Sequence, residues 1–194
     1  MKLNRLVIFS GSLLLTTSIF TGCATPPPSK PEPKCTALTG APNWVINPTV
    51  PDGIGVVGIS GPNTGGIAFQ TDTARGDAYH KAGNVIKTIV IATLDLLRKS
   101  TKVAGINETK EIMKNVTALE VNEIPTAGIQ RSNVWISSCT GDYFANYTMA
   151  DRSIKSNLKD TLKQVNASET IIKDSMEELS QEIDKIKENA RANR

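Results

Sequence analysis

Apolar residues recur along this chain with three different spacings, and each spacing predicts a different kind of element. A nearly continuous apolar run occupies residues 6–20, while apolar residues fill both faces of 53–60. Spacings of three and four run through 72–100 and again through 158–190. A continuous run of that length is typical of an export signal, whereas spacings of three and four are typical of amphipathic helices. The chain therefore combines helices and strands behind an apolar N-terminus.

The segment GIGVVGIS, residues 53–60, predicts a buried strand. It places Ile54 and Val56 on one face and Val57 and Ile59 on the other. Its glycines permit a helix to approach closely, because they carry no side chain.

Residues 72–100 predict a long helix with one apolar face. Small residues come first on that face, as Ala74, Ala78 and Ala82, and larger residues follow. This gradient predicts a helix that lies close on the glycine-bearing strand at one end and fills wider space at the other. Residues 105–117 extend or restart the helix after a break at Gly105.

Two further strands are predicted at 127–138 and 143–150, joined through residues 139–142 as a hairpin. Three aromatic residues supply packing for this hairpin: Trp135, Tyr143 and Tyr147. We expect Asp151 or Ser153 to cap a last helix after it.

The last stretch contains no proline or glycine from residue 151 onward, and its apolar positions follow an unbroken spacing of four and three. This pattern predicts a heptad seam of the coiled-coil type. One interpretation is that the seam mediates self-association or docking to a partner through an interaction face of Ile172, Met176, Leu179, Ile183 and Ile186. The other, with equal weight, is an amphipathic helix folded back on its own domain.

The N-terminus carries Lys2 and Arg5, then the apolar run, then Thr21-Gly22-Cys23. This ending resembles the lipobox of bacterial lipoproteins, in which the cysteine receives diacylglycerol and the signal is cut before it. We therefore predict a signal peptide at 1–22 and lipidation of Cys23. The alternative is an ordinary secretory signal that is cut at a nearby small residue.

Residues 23–40 predict a proline-rich tether between the lipidated cysteine and the folded domain. Once Cys23 is lipidated, Cys35 and Cys139 remain, and an exported chain resides where disulfides persist. These two residues are therefore the candidates for an intramolecular disulfide. We assign residues 41–155 to an α+β domain and 156–194 to the heptad-patterned C-terminal helix.

The charge balance of the chain and its few candidate catalytic residues argue against several classes of function. Removal of the signal leaves 20 basic and 19 acidic side chains, since the signal holds two of the 22 basic ones. This balance argues against nucleic-acid binding. His80 is the sole histidine and has no companion histidine, cysteine cluster or nucleophile motif. We expect no enzymatic activity, no cofactor and no metal site; a periplasmic hydrolase using His80 is the weaker alternative.

Four segments carry a family resemblance: APNWV, GIGVVGIS, TARGDAYHKAGNVI and NVWISSCTGDYFANYTM. In this order they resemble the twenty-kilodalton lipoprotein family of Gram-negative bacteria, Lpp-twenty, over residues 40–165. The resemblance implies an α+β domain in which a long helix covers a small antiparallel sheet. Relatives of the family include FlgP-like flagellar lipoproteins.

Together these features predict a lipoprotein that is anchored in the outer membrane through its lipid. Its predicted role is non-enzymatic, in the structure or assembly of the cell envelope. The resemblance adds an association with the flagellum. The expected partners are the membrane and either a second copy or another envelope protein. The alternative is a monomeric surface lipoprotein that acts as an adhesin or antigen.

Overall fold

The structure, a computed structural model, describes the backbone of residues 35–99 and 106–192 and the side chains up to residue 183. The predicted signal peptide, the lipidation site Cys23 and the tether up to residue 34 lie outside the described residues. The side chain of Ile186 does too.

The fold is α+β, with a long helix packed on a three-stranded antiparallel sheet and helices at the C-terminal end. The fold class predicted from the sequence is thereby confirmed. The described elements are α1 (Asn43–Ile46), β1 (Gly53–Ser60), α2 (Gly66–Lys99), α3 (Ile106–Ala118), a 3-10 turn (Val121–Glu123), β2 (Gln130–Ile136), β3 (Tyr143–Ala150), α4 (Asp151–Gln164) and α5 (Glu169–Ala192).

The sheet has the order β1-β3-β2, so the central strand is β3 and both neighbours run antiparallel to it. Strand β3 is buried along nearly its whole length because it is covered on both faces. The predicted buried strand and hairpin are both present. A register shift between Arg131 and Asn133 interrupts the outer part of β2.

Helix α2 crosses the sheet with its small residues against the strands. Ala74, Ala78 and Ala82 are fully buried and pack with Val56 of β1. A Cβ atom at Gly58 would overlap the carbonyl oxygen of Ala74, so this glycine sets the close approach of helix and strand. The predicted gradient of side-chain size is confirmed.

Helix α2 begins at Gly66, six residues before the predicted start at residue 72. Its first turns expose Ile67 and Phe69, so apolar residues there do not follow the buried face. The apolar spacing therefore located the packed part of the helix and missed its exposed beginning.

The second half of α2 packs in a larger, mainly helical core with α3, α4, α5 and one end of the sheet, at Ile54 and Met149. Side chains from all four helices fill this core: Ile86, Val90, Leu94, Ile112, Val116, Leu158, Leu162, Ile171, Ile172 and Leu179. The larger residues of α2 thus pack against other helices, where the distance between elements is wider, as the sequence predicted.

The prediction of one uninterrupted C-terminal helix is wrong. Helix α4 ends at Gln164, and Asn166 takes the left-handed conformation with φ of 59°. The Ala167 amide then donates to the Leu162 carbonyl at 3.0 Å, and the Asn166 amide donates to the Lys163 carbonyl at 3.0 Å. These two bonds are the Schellman arrangement that ends helices. The chain therefore turns before α5 begins.

The C-terminal helices belong to the same compact unit as the sheet.

The N-terminal cap of α4 also differs from the prediction. Ala150 occupies the N-cap position, and the Asp151 amide donates to the Asp52 carbonyl at 3.2 Å. None of the helices in the described part of the chain is long and apolar enough to span a membrane.

Candidate functional site

Cys35 and Cys139 form a disulfide, with Cα atoms 5.6 Å apart across 104 positions of sequence. Cys139 lies in the turn between β2 and β3. There the Ser137 amide donates to the Asp142 carbonyl at 2.9 Å, and the Gly141 amide donates to the Ser137 carbonyl at 2.9 Å. The bond therefore fastens the start of the described domain to the tip of the hairpin.

Gln70 ties the beginning of α2 to the same tip. Its Nε2 atom donates to the Gly61 carbonyl at 3.1 Å and to the Gly141 carbonyl at 3.0 Å. Gln70 is only 6% exposed, so its amide satisfies two loop carbonyls within a shielded site. We call the region formed by the disulfide, loop 61–65, the hairpin turn 137–142 and the first turn of α2 the disulfide end.

The predicted interaction face of the C-terminal helix packs against the protein's own domain. Ile172 and Leu179 are 3% and 6% exposed within the helical core. Met176 and Ile183 are partly buried against the same core, and the side chain of Ile186 lies outside the described residues. Helices α2 and α4 contact α5, so this packing matches the interpretation of a helix folded back on its own domain, and docking of a partner through this face stays a prediction.

A polar pair closes the free edge of β1. The Asp77 carboxylate accepts the Ile59 amide at 2.9 Å, and Lys81 donates to the Val57 carbonyl at 2.8 Å. Lys81 and Asp77 are themselves bonded at 2.7 Å. Since an open strand edge invites pairing with other chains, this pair protects the edge.

This role of Asp77 was not predicted from the sequence. Its partner Ile59 lies 18 positions earlier in the chain, so the contact depends on how α2 lies on the sheet. The spacing of Asp77 and Lys81, four positions on one helix, was the only available sequence signal.

We expect Asp77→Ala to destabilise the domain by about 1–2 kcal/mol, because the Ile59 amide loses its acceptor. Asp72→Ala is the matched control on the same helix. Asp72 pairs with Arg75 at 2.9 Å with both side chains largely exposed, so its removal should change stability by less than about 0.5 kcal/mol. Urea unfolding of both variants measures the difference. Equal effects would mean that Asp77 forms only a surface ion pair.

The three tyrosines of the chain cluster where α2 crosses β3. The Tyr79 and Tyr147 rings meet edge to face at 6.4 Å, and Arg131 donates to the Tyr143 hydroxyl at 3.4 Å. Burial raises the pKa of Tyr147, and the Arg131 guanidinium opposes that shift. Tyr147 therefore packs as a neutral phenol between α2 and the sheet.

His80, the candidate for a hydrolase, is exposed on α2. Its exposed position provides no shielded site in which a base could activate a nucleophile. Among the described residues, no three His, Cys, Asp or Glu side chains lie close enough together to hold a metal ion.

An apolar cleft of about 280 Å³ lies between α2, α5 and the starts of β1 and α4. Its walls include Ile54, Ile89 and Leu179, and carboxylates from Glu178 and Glu182 border it. The lining holds no histidine, cysteine or serine. Its polar side chains are Thr93, Asp151, Glu178 and Glu182, and the rest of the wall is mainly apolar, so the cleft suits apolar contact.

No family model and no curated protein matches this chain.

Proposed function

We propose that this protein is a non-enzymatic lipoprotein of the outer membrane, anchored through Cys23, with a structural or assembly role in the cell envelope. Within that role, the resemblance to the Lpp-twenty family implies an association with the flagellum. The described domain would be the part that contacts other envelope components.

The disulfide between Cys35 and Cys139 is the observation that carries this proposal. Structural disulfides persist in oxidising compartments and are rare in the cytosol. The bond is therefore consistent with an exported protein, as the N-terminal signal pattern predicts. Cys35 also follows Cys23 by only twelve positions, so the proposed anchor is close in sequence to the disulfide end.

A monomeric surface lipoprotein, an adhesin or antigen, is the second candidate. It is favoured by the burial of Ile172 and Leu179 in the protein's own core, since the seam that suggested self-association is already occupied. An assembly role would then use other surfaces of the domain. Native mass spectrometry of the detergent-solubilised protein separates an oligomer from a monomer.

We expect Cys23→Ser to abolish lipidation and signal cleavage at this position, because only the Cys23 thiol can receive the diacylglycerol. Membrane fractionation and intact-mass measurement of the purified protein test this. Ser29→Ala, in the predicted tether, is the control and should be processed and lipidated like the parent. A Cys23→Ser protein that still carries lipid would refute the anchor.

A further inference from the structure

We propose that the disulfide end is a membrane-contacting surface that rests on the lipid bilayer through exposed apolar side chains. The inference rests on the proposed anchor at Cys23 and adds to it an orientation of the domain. The contact would be with the apolar and interfacial part of the bilayer, because this end carries almost no charge.

The lack of charge is pronounced in the first part of the described chain. Residues 35–70 comprise 36 positions and contain one charged side chain, Asp52. Because about a quarter of the residues in ordinary domains are charged, about nine would be expected there. By comparison, residues 151–183 contain twelve charged side chains in 33 positions. The charge of the domain is therefore concentrated away from the disulfide end.

Burial does not explain this composition, because residues 61–69 are all exposed. Asp52 precedes β1, whereas the disulfide end lies at the other end of that eight-residue strand, about 26 Å away. The hairpin turn adds one carboxylate, Asp142, which accepts the Thr140 hydroxyl at 2.6 Å. Apart from Asp142, the exposed surface of this end is made of small, polar uncharged and apolar side chains.

Large apolar side chains project from the disulfide end. Ile67 and Phe69 in the first turn of α2 are 54% and 57% exposed, and Leu38, three residues after Cys35, is 50% exposed. Leucine, isoleucine and phenylalanine are the residues with which proteins enter the boundary between headgroups and acyl chains. Exposed apolar side chains grouped at one end of a domain mark an interaction surface.

The position of the anchor selects the bilayer as the occupant. Cys35 follows Cys23 by twelve positions, so twelve Cα-to-Cα steps join them. They span at most about 43 Å when fully extended, so every conformation keeps the disulfide end within that distance of the membrane. The other end of the 34-residue helix α2 lies about 51 Å further along the helix axis. The end that carries Leu38, Ile67 and Phe69 is therefore the end that the proposed anchor would hold near the membrane.

Fluorescence quenching of the full-length mature lipoprotein in phosphatidylcholine vesicles tests the orientation. Phe69→Trp places a tryptophan in the disulfide end, and Ile106→Trp, at a position 50% exposed at the start of α3, is the matched control. Relative to the parent protein, brominated acyl chains should quench the added emission at position 69 at least about twofold more than that at position 106. Because this end carries a single charged side chain, Asp142, raising the salt from about 0.05 to 0.5 M should change the quenching little.

Each outcome bears on the proposal. Flotation with the vesicles but weak quenching at both positions would overturn the membrane contact while the anchor stands, and the apolar end would then be a surface for a protein partner. Equally strong quenching at both positions would also overturn it, because both ends of the domain would then contact the bilayer. A protein that fails to float and carries an unmodified Cys23 would refute the anchor and this inference together.

Circular dichroism of each variant verifies that the domain remains folded. Ile67→Ser with Phe69→Ser provides a second test that adds no fluorophore. Hydrogen exchange of residues 61–69 should be slower on vesicles than in detergent for the parent, and this difference should disappear in the double variant. The double variant Leu96→Ser with Ile106→Ser changes two exposed positions outside the disulfide end and should retain the difference in exchange.

Discussion

Replacing Leu179 with Asp is expected to unfold the domain or leave it marginally stable. Leu179 is 6% exposed within the helical core. A carboxylate there would lose its hydration without a partner, and the lost packing adds to this cost. Such substitutions destabilise by about 4–5 kcal/mol, a large part of the 5–15 kcal/mol that holds ordinary domains folded. Ile172→Asp, at a position 3% exposed, should have a similar effect.

Gln181→Asp is the matched control, because it adds the same charge to the exposed side of the same helix. Its free energy of unfolding should stay within about 0.5 kcal/mol of the parent. Urea unfolding, followed by circular dichroism, measures all three variants. If Leu179→Asp leaves stability unchanged and instead converts an oligomer to a monomer, Leu179 contacts a second chain and the prediction fails.

The sheet and its covering helix could be predicted from the sequence because their signals are local. The apolar residues on both faces of 53–60 coincide with β1, and the step from alanines to larger residues along α2 matches the change from the first core cluster to the larger one. Both patterns depend on residues within one element. Packing against either the sheet or the helices then follows from side-chain size.

The path of the C-terminal helices could not be deduced from apolar spacing. A spacing of four and three is the same whether the partner is a second chain or the protein's own α2. The turn between α4 and α5 depends on Asn166, one of the few residues that tolerates positive φ, and on Ser168, whose hydroxyl accepts the Ile171 amide at 3.4 Å. These two polar residues were the available signal of the break.

The surfaces relevant to function are distributed over residues that are distant in sequence. Asp77 protects the edge of β1 through Ile59, and the disulfide end unites residues near positions 35, 65 and 140. The pairing of Cys35 with Cys139 was predicted from the sequence, whereas the low charge of residues 35–70 gains a meaning only from the exposure of 61–69. Tertiary contacts therefore decide the functional interpretation here.

Breaking the disulfide is expected to lower the stability of the domain by up to about 4–5 kcal/mol, which is the chain-entropy contribution of a loop of this length. The loop spans 104 positions and encloses β1, α2, α3 and β2. In a domain of this size, each kcal/mol shifts Tm by about 2–4 °C, so Tm should fall by about 10–20 °C. The bond also fastens residue 35 to the hairpin turn, so loosening should begin at the disulfide end.

Three variants of the mature protein separate the cross-link from simple packing: Cys35→Ser, Cys139→Ser and the double variant. Each removes the same bond, so calorimetry should give the same Tm for all three, and a reducing agent should lower the parent to that value. The decrease should not be additive, because the second substitution removes a thiol that no longer has a partner. Additive single effects, or a parent whose Tm is insensitive to reduction, would show that the two side chains contribute by packing and that the closed loop contributes little.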